Sequence, residues 1–201
     1  MAKGMRTHNI VTPTADNLAA TARKASKKGL PPVHLWNPPF CGDLDMRIAR
    51  DGSWYYLGSP IRREGLVRLF SSILKKEDNQ YFLVTPAEKV GITVDDAPFV
   101  AVDFTVRNPG VDQELTFRTH IGDEVTACAE KPIRVELDPK TDEPSPYIMI
   151  RADLEALIDR KTFFRLVSIG ETNRYDGADW FGVRSKGVFF PIAPAEDLDL
   201  G

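Results

Sequence analysis

The segment WNPPFCGDLDMR, residues 36–47, concentrates side chains that can do chemistry: a thiol, two carboxylates and a guanidinium. Cys41 lies near His34 and Asp43 in the sequence, and a thiol beside an imidazole or in a positive field is a nucleophile. Sequence proximity does not supply that geometry, and the residues around Cys41 match no catalytic-cysteine signature. One hypothesis is therefore an uncharacterised hydrolase or transferase centred on Cys41 or on the Asp43/Asp45 pair.

The two carboxylates of this segment raise the question of a metal site. Asp43 and Asp45 are two residues apart, so on a β-strand both would face the same side. A hard metal ion normally needs further oxygen ligands, and an aspartate near Arg47 on a strand is more often part of a structural ion pair. The chain has three histidines, widely spaced and in no ligand pattern: His8, His34 and His120. We therefore predict no metal and no cofactor.

A second group of candidate residues is basic. Each of two predicted helices begins with a pair of cations: Arg62 and Arg63 in one, Arg160 and Lys161 in the other. The amino-terminal end of a helix is its positive end, and cations there are unfavourable by about 0.3–1 kcal/mol each. Free backbone N–H groups beside arginine side chains bind phosphate or carboxylate well. These cations predict an anion site, one for each helix; the alternative is solvated arginines or ion pairs with neighbouring carboxylates.

The elements that must position these residues begin with a helix. In the N-terminal tail, residues 1–35, TADNLAATARKASKK predicts a helix with Thr14 as its cap and Gly29 at its end. Its apolar residues are mostly alanine, which predicts a loosely packed surface helix. The four prolines of GLPPVHLWNPPF then favour an extended, semi-rigid backbone.

Residues 36–97 follow the pattern of a β-hairpin, a helix and a strand. MRIA and WYYLG flank a turn signal at residues 50–53, Ser59-Pro60 is typical of a helix start, and YFLVTP is typical of a strand. The helix has an apolar stripe at helical spacing: Leu66, Leu69, Phe70, Ile73 and Leu74. Further along, the polar, glycine-rich piece from Gly170 to Gly187 predicts a connecting loop, or alternatively a phosphate-facing loop that includes Arg184.

The second half of the chain repeats the first. At a constant spacing of 97 residues, IRREGLVRLFS from Ile61 matches IDRKTFFRLVS from Ile158 at five of eleven positions. The flanking strands also agree, since MRIARDG resembles IRVELDP and YFLVTP resembles WFGVRS. We predict an α+β fold with a duplicated β-hairpin–helix–strand unit, the first repeat at residues 36–97 and the second, with longer antiparallel strands, at residues 98–201.

Composition limits the function classes. The 201 residues carry a net charge of −3 with a pI near 5.7, which argues against a general nucleic-acid binder. No apolar run approaches the roughly 18 residues that span a bilayer, and the start lacks the apolar region of a secretory signal. Two cysteines far apart suit a reducing compartment. We expect a cytoplasmic, soluble protein without a membrane partner.

A family resemblance adds to these patterns. The string WNPPFCGDLDMRIARDGSWYYLGSPI, with YFLVTPAEKVGI and DAPFVAVDF, resembles the proteobacterial domain-of-unknown-function family 1285 over nearly the whole chain after about residue 25. The resemblance implies two structurally repeated α+β domains, the C-terminal one similar to a pleckstrin-homology fold. It also implies no established enzymatic activity and a binding site between the domains for a nucleotide-like ligand in bacterial signalling.

Three functional hypotheses follow. We prefer a non-enzymatic protein that binds an anionic, nucleotide-like molecule between its repeats; the second is the enzyme centred on Cys41 or Asp43/Asp45, and the third is a protein–protein adaptor that uses its strand edges. The candidate ligand contacts come from the opening stretch, the helix starts and the predicted loop: Trp36, Asn37, Phe40, Cys41, Asp43, Asp45, Arg47, Arg62, Arg63, Arg160, Lys161, Trp180 and Arg184.

Overall fold

The structure is a computed structural model that describes residues 13–25 and 29–197. Within these residues it contains three α-helices, packed against antiparallel strand meanders. The helices are α1 (Ala15–Ala25), α2 (Glu64–Ser72) and α3 (Arg160–Val167). Across the described ranges, no helix has the length and apolar character needed to cross a lipid bilayer.

The first domain forms one six-stranded sheet. Its strands are β1 (Phe40–Ile48), β2 (Trp54–Tyr56), β3 (Ser59–Pro60), β4 (Leu74–Glu77), β5 (Gln80–Val84) and β6 (Lys89–Val94). Their order is β3-β2-β1-β6-β5-β4, so two three-stranded meanders join through the parallel pair β1 and β6. Helix α2 connects the two meanders.

The second domain contains another six-stranded sheet. Its strands are β7 (Phe99–Arg107), β8 (Glu114–Thr119), β9 (Glu124–Thr126), β10 (Ile133–Leu137), β11 (Pro144–Arg151) and β12 (Leu154–Ile158). The order is β10-β11-β12-β7-β8-β9, with β7 and β12 parallel. In both sheets the first strand therefore pairs in parallel with the sixth, and this shared topology confirms the predicted α+β fold with two repeated subdomains.

The helices occupy different places in the two domains. Helix α2 lies between the two meanders of the first sheet, whereas α3 follows the last strand of the second sheet. After α3 a third meander forms a sheet of its own: β13 (Glu171–Tyr175), β14 (Ala178–Ser185) and β15 (Val188–Pro194). The order meander, helix, meander thus occurs twice, which is the unit that the 97-residue spacing indicates.

Two local predictions are wrong. Ser59-Pro60 does not begin a helix but pairs with Tyr55 and Tyr56 as β3, and α2 begins only at Glu64. The segment after Gly170 is not a loop but the β13–β14 hairpin. In both places, hydrogen bonding to a neighbouring strand outweighs the local preference of polar, proline and glycine residues for turns and helix starts.

The prediction that α1 is loosely packed is also wrong. Leu18 and Ala22 are fully buried, and α1 lies against α2. Alanine side chains let a helix backbone approach its neighbour closely, so a helix rich in alanine can belong to a core. A single apolar cluster extends from α1 through the first domain into the second, where it includes Phe99 and Phe117.

Polar contacts also join the domains. The Arg151 guanidinium pairs with Asp123, donates from Nη2 to the Ser71 carbonyl at 3.0 Å, and lies 4.9 Å from the centre of the Phe99 ring. Because Ser71 lies in the last turn of α2 while Arg151 belongs to β11, this side chain links the first domain to the second. Its exposed fraction is only 21%, so the ion pair is shielded from most of the solvent.

The connection between the domains is anchored at Asp96. The Tyr147 hydroxyl donates to Asp96 Oδ1 at 2.8 Å, and Arg50 Nε lies 3.2 Å from Asp96 Oδ2. Burial, followed by the hydrogen bond to Asp96, raises the pKa of Tyr147 to about 12. The tyrosine therefore remains a proton donor to Asp96 at any physiological pH.

Candidate functional site

Residues 36–47 form most of strand β1 and the segment before it. Asp43, Asp45 and Arg47 are exposed and alternate with buried residues, so the three side chains share the outer face of the sheet. Arg47 Nη1 lies 2.5 Å from Asp95 Oδ2, and its guanidinium carbon lies 4.8 Å from the centre of the Tyr55 ring. The charge of Arg47 is thus paired with a carboxylate on the strand connection and not with its sequence neighbours.

The Cys41 thiol is exposed and donates to the Pro39 carbonyl at 3.4 Å. Among the described residues no imidazole or cation hydrogen-bonds to this thiol. Asp43 lies over Gly91 of β6, where a Cβ atom would stand 2.1 Å from Asp43 Oδ1, so a larger residue there would displace the Asp43 side chain. Phe40 and Asp43 line an open depression on the outer face of the sheet.

The two candidate tryptophans, Trp36 and Trp180, pack against other side chains of the protein. Trp36 is half-buried against Val33, Phe82 and Val84, while Asn37 is exposed. The Trp180 ring meets the Tyr175 ring edge-on, with 6.4 Å between their centres.

Arg184 is also engaged within the third sheet. Its Nε donates to Glu171 Oε1 at 2.5 Å, and its guanidinium carbon lies 5.6 Å from the centre of the Phe189 ring. The structure has a cavity at the start of α2 and another at the start of α3, and neither Arg184 nor Trp180 lines either of them.

One cavity lies at the start of α2 and is named the α2 cavity; its volume is about 420 Å³. Its walls come from both domains. Its lining consists of Gly52, Ser53, Trp54, Pro60, Ile61, Arg62, Glu64, Val67, Arg68, His120 and Ile121. His120 and Ile121 follow β8 in the second domain, and the others belong to the first, so this cavity lies at the domain boundary.

The charge of the α2 cavity is positive. Within residues 13–25 and 29–197, neither Arg62 nor Arg68 forms an ion pair, and Glu64 is the only carboxylate in the lining. Arg63, in extended conformation, is the N-cap residue of α2 and provides no capping hydrogen bond. The positive end of the helix and two arginines therefore lie beside the same cavity.

Two buried ring nitrogens in the lining have no hydrogen-bond partner among the described residues, namely Trp54 Nε1 and His120 Nε2. Trp54 is only 2% exposed. His120 Nδ1 accepts a hydrogen bond from the Val100 amide at 3.2 Å, which places the proton of the neutral imidazole on Nε2. An unpaired buried donor costs about 1–3 kcal/mol, so each of these two N–H groups lowers the stability of the folded chain.

Close packing holds His120 in place. A Cβ atom on Gly52 would lie 2.9 Å from two atoms of the imidazole, and Gly52 also has a positive φ of 83°. Burial lowers the pKa of His120, while the nearby backbone of Val100 and Gly52 and the carboxylates of Asp123 and Asp51 oppose that shift. Arg62, Arg68 and Glu64 are the other charged groups of the cavity lining.

The lowered pKa predicts the pH dependence of stability. As the pH falls through about 6.5, His120 takes up a proton in the unfolded chain but not in the folded one, so the folded state loses stability. We expect the free energy of unfolding to fall between pH 7.5 and pH 5.5, and His120→Gln to flatten this slope. Urea denaturation at several pH values measures it.

The matched control for this prediction is His34→Gln, because His34 is exposed. That substitution should leave the slope of the free energy of unfolding against pH as it is in the unmodified protein. An unchanged slope in His120→Gln would show that buried His120 is not the group responsible.

The second cavity, named the α3 cavity, lies beside the start of α3 and has a volume of about 460 Å³. Its lining includes Arg50, Asp138, Glu143, Leu157, Ile158, Asp159, Arg160, Phe163 and Phe164. The four predicted cations are therefore distributed, with Arg62 in the α2 cavity and Arg160 in the α3 cavity. Arg63 and Lys161 are exposed and line neither cavity.

Sequence reasoning missed Arg50, Arg68 and His120 as cavity residues. Arg68 had a signal, because it recurs at the 97-residue spacing as Arg165. No sequence pattern marks Arg50 or His120, because both reach a cavity only through the packing of one domain against the other.

Comparison with protein families agrees with the fold. Residues 31–97 match the model for the N-terminal domain of DUF1285, a domain of unknown function, and residues 98–192 match the model for the C-terminal domain. The chain belongs to the DUF1285 family. The N-terminal family domain contains the first six-stranded sheet, and the C-terminal one contains the second six-stranded sheet, α3 and most of the third sheet. The helix starts that bear the cavities fall one in each domain.

Other DUF1285 family proteins have known crystal structures. One from Silicibacter pomeroyi DSS-3 is 59% identical, with a TM-score of 0.82, and the match covers 90% of this chain and 97% of that one. Another, from Shewanella baltica OS155, is 29% identical, with a TM-score of 0.49, over 63% of this chain and 92% of that one. No curated protein matches the chain.

Proposed function

We propose that this protein is a non-enzymatic binding protein for a small anionic, nucleotide-like ligand, held between the two repeats in the α2 cavity. The observation that carries the proposal is the convergence of Arg62 and Arg68, both without a carboxylate partner among the described residues, on a cavity at the domain boundary. Positive charge that the protein does not neutralise itself favours an anionic partner.

The ligand chemistry follows from the lining. Phosphate oxygens accept hydrogen bonds from the guanidinium groups of Arg62 and Arg68, which both line the cavity. Ile61, Val67 and Ile121 supply an apolar wall for a sugar or a base. The volume of about 420 Å³ lies within the range of about 300–1,000 Å³ that is usual for small-molecule sites.

Binding without turnover suits the acid–base groups of the cavity. His120 Nδ1 is occupied by the Val100 amide, and burial favours the neutral imidazole, so this side chain has no nitrogen free to act as a general base. A protein that binds a nucleotide-like ligand without consuming it can report its concentration, which is the requirement of a regulatory role in bacterial signalling. The ligand contacts of both domains would make their relative position sensitive to binding.

The test is a thermal-shift and calorimetric screen of nucleoside mono-, di- and triphosphates, with the matching nucleosides and inorganic phosphate. We expect a nucleotide to raise the melting temperature, and Arg62→Gln or Arg68→Gln to weaken its binding by about ten- to a hundredfold, because each removes charge-assisted hydrogen bonds. Raising the salt concentration should weaken binding in the unmodified protein.

The matched control is Arg107→Gln, which removes an exposed arginine at the end of β7, away from both cavities. This variant should bind like the unmodified protein. If no nucleotide raises the melting temperature, or if the Arg62 and Arg68 variants bind as tightly as the Arg107 variant, the proposed ligand or the proposed cavity is wrong.

A further inference from the structure

The α3 cavity occupies the place in the second repeat that the α2 cavity occupies in the first. Four positions of its lining recur at the 97-residue spacing: Pro60 and Leu157, Ile61 and Ile158, Arg62 and Asp159, Val67 and Phe164. In each repeat the cavity also borders the turn that follows the first strand of the meander before the helix. Duplication has therefore produced two related cavities, whose polar groups have diverged.

The two arginines of the α3 cavity differ in whether a carboxylate lies beside them. Within residues 13–25 and 29–197, Arg160 has no ion-pair partner, and its guanidinium carbon lies 5.4 Å from the centre of the Phe164 ring. Arg50 donates from Nη2 to the Ser145 hydroxyl at 2.9 Å and lies beside Asp96, yet its side chain is 62% exposed. Arg160 is thus the main free cation, and Arg50 is a second donor.

Two of the carboxylates in the lining accept hydrogen bonds from backbone amides a few residues further along the chain. Asp159 Oδ1 accepts the Thr162 amide at 2.7 Å and caps α3, and Asp138 Oδ1 accepts the amide of Lys140 at 2.8 Å within a turn. Glu143 adds a third carboxylate to the lining. This negative charge disfavours a polyphosphate but permits a ligand with a single negative charge.

The apolar part of the cavity is aromatic. Phe163 packs partly against the core, and Phe164 is 60% exposed, which is an unfavourable position for so large an apolar side chain. The Arg160 guanidinium lies over one face of the Phe164 ring, and most of this ring is still exposed. The guanidinium can therefore contact a carboxylate while the exposed part of the ring contacts an aromatic group.

We propose that the α3 cavity is a second binding site, for a small aromatic carboxylate whose anionic group contacts Arg160 and Arg50 and whose ring lies on Phe164. This site is independent of the α2 cavity, since the two linings share no residue. The two cavities also differ in the class of ligand that we propose. The ligand of the α3 cavity carries one negative charge beside an aromatic ring, whereas a nucleotide in the α2 cavity carries several negative charges.

Three probes of related shape test the proposal on the full-length protein by calorimetry and ligand-observed NMR. They are 3-phenylpropionate, which has both features, 3-phenylpropylamine, which reverses the charge, and propionate, which lacks the ring. We expect 3-phenylpropionate to bind at least tenfold more tightly than either of the others. Arg160→Gln should weaken its binding about ten- to a hundredfold, and Phe164→Ala should weaken it several-fold.

Two control variants locate the site. Lys161→Gln removes the exposed neighbour of Arg160, and Arg62→Gln removes a cation of the α2 cavity; both should leave the binding of 3-phenylpropionate unchanged. The proposal is overturned if 3-phenylpropionate does not bind up to its solubility limit, if the amine binds equally well, or if Arg160→Gln has no effect. Since Arg160 and Phe164 are exposed, their variants should fold, which circular dichroism verifies.

Discussion

Replacing Trp54 with alanine should lower the free energy of unfolding by about 3–5 kcal/mol, the usual cost of deleting a large buried aromatic side chain. Trp54 is 2% exposed, and its ring stacks on Phe70 with 6.1 Å between the ring centres and an interplanar angle of 22°. Trp54→Ala would leave a cavity beneath α2, because the surrounding helix and strands can collapse only partially. Urea denaturation followed by far-ultraviolet circular dichroism measures the loss.

The matched variant for this prediction is Trp54→Phe. It keeps an aromatic ring against Phe70 and removes the buried Nε1–H, which lacks a partner among the described residues, so its cost should be clearly smaller than that of Trp54→Ala. Because one apolar cluster extends across both domains, unfolding of either variant should remain a single transition. Two separate transitions, or equal losses in the two variants, would contradict this account.

The second large effect concerns Gly182 in strand β14. A Cβ atom at this position would lie 2.2 Å from the carbonyl oxygen of Phe190 and 2.8 Å from Cζ of Phe189. The first of these atoms belongs to the backbone of β15, the paired strand, and cannot rotate away. Gly182→Ala should therefore destabilise the fold by about 1–3 kcal/mol or more through overpacking and distortion of the β14–β15 pair.

Gly65→Ala is the control that separates steric conflict from the general effect of replacing glycine. Gly65 lies in α2, and no atom comes within 4 Å of a Cβ placed there. Alanine is favoured over glycine in a helix by up to about 1 kcal/mol, so this variant should melt at the same or a higher temperature. For a domain of this size, 1 kcal/mol changes the melting temperature by about 2–4 °C. Equal melting temperatures for the Gly182 and Gly65 variants would show that β14 and β15 separate easily.

Patterns with a short period could be read directly from the sequence. The two-residue spacing of Asp43 and Asp45 predicted that they face the same side of a strand, as they do in β1. The helical stripe and the 97-residue spacing predicted both helices and the duplication, although α2 ends at Ser72 and Leu74 of the stripe begins β4. These patterns depend on the geometry of a single strand or helix, which neighbouring residues along the chain determine.

Pairing between distant strands was decided only by the tertiary structure. Ser59-Pro60 has the local character of a helix start, yet it forms an edge strand, and α2 therefore begins at Glu64. Likewise, the parallel contacts of β1 with β6 and of β7 with β12 join segments that no local pattern connects. Such pairings arise because whole sheets must close around one apolar core.

The two cavities show most clearly which features could be predicted from the sequence and which depend on the tertiary structure. Residue type and spacing alone identified Arg62 and Arg160 as cations at helix starts, but nothing in the sequence indicated that they lie in separate cavities. His120 and Arg50 join those cavities from distant parts of the chain, because packing of the second domain against the first brings the β8–β9 turn to α2 and the β1–β2 turn to α3. A binding site that is built across a domain boundary depends on that packing, and the packing is a property of the whole chain.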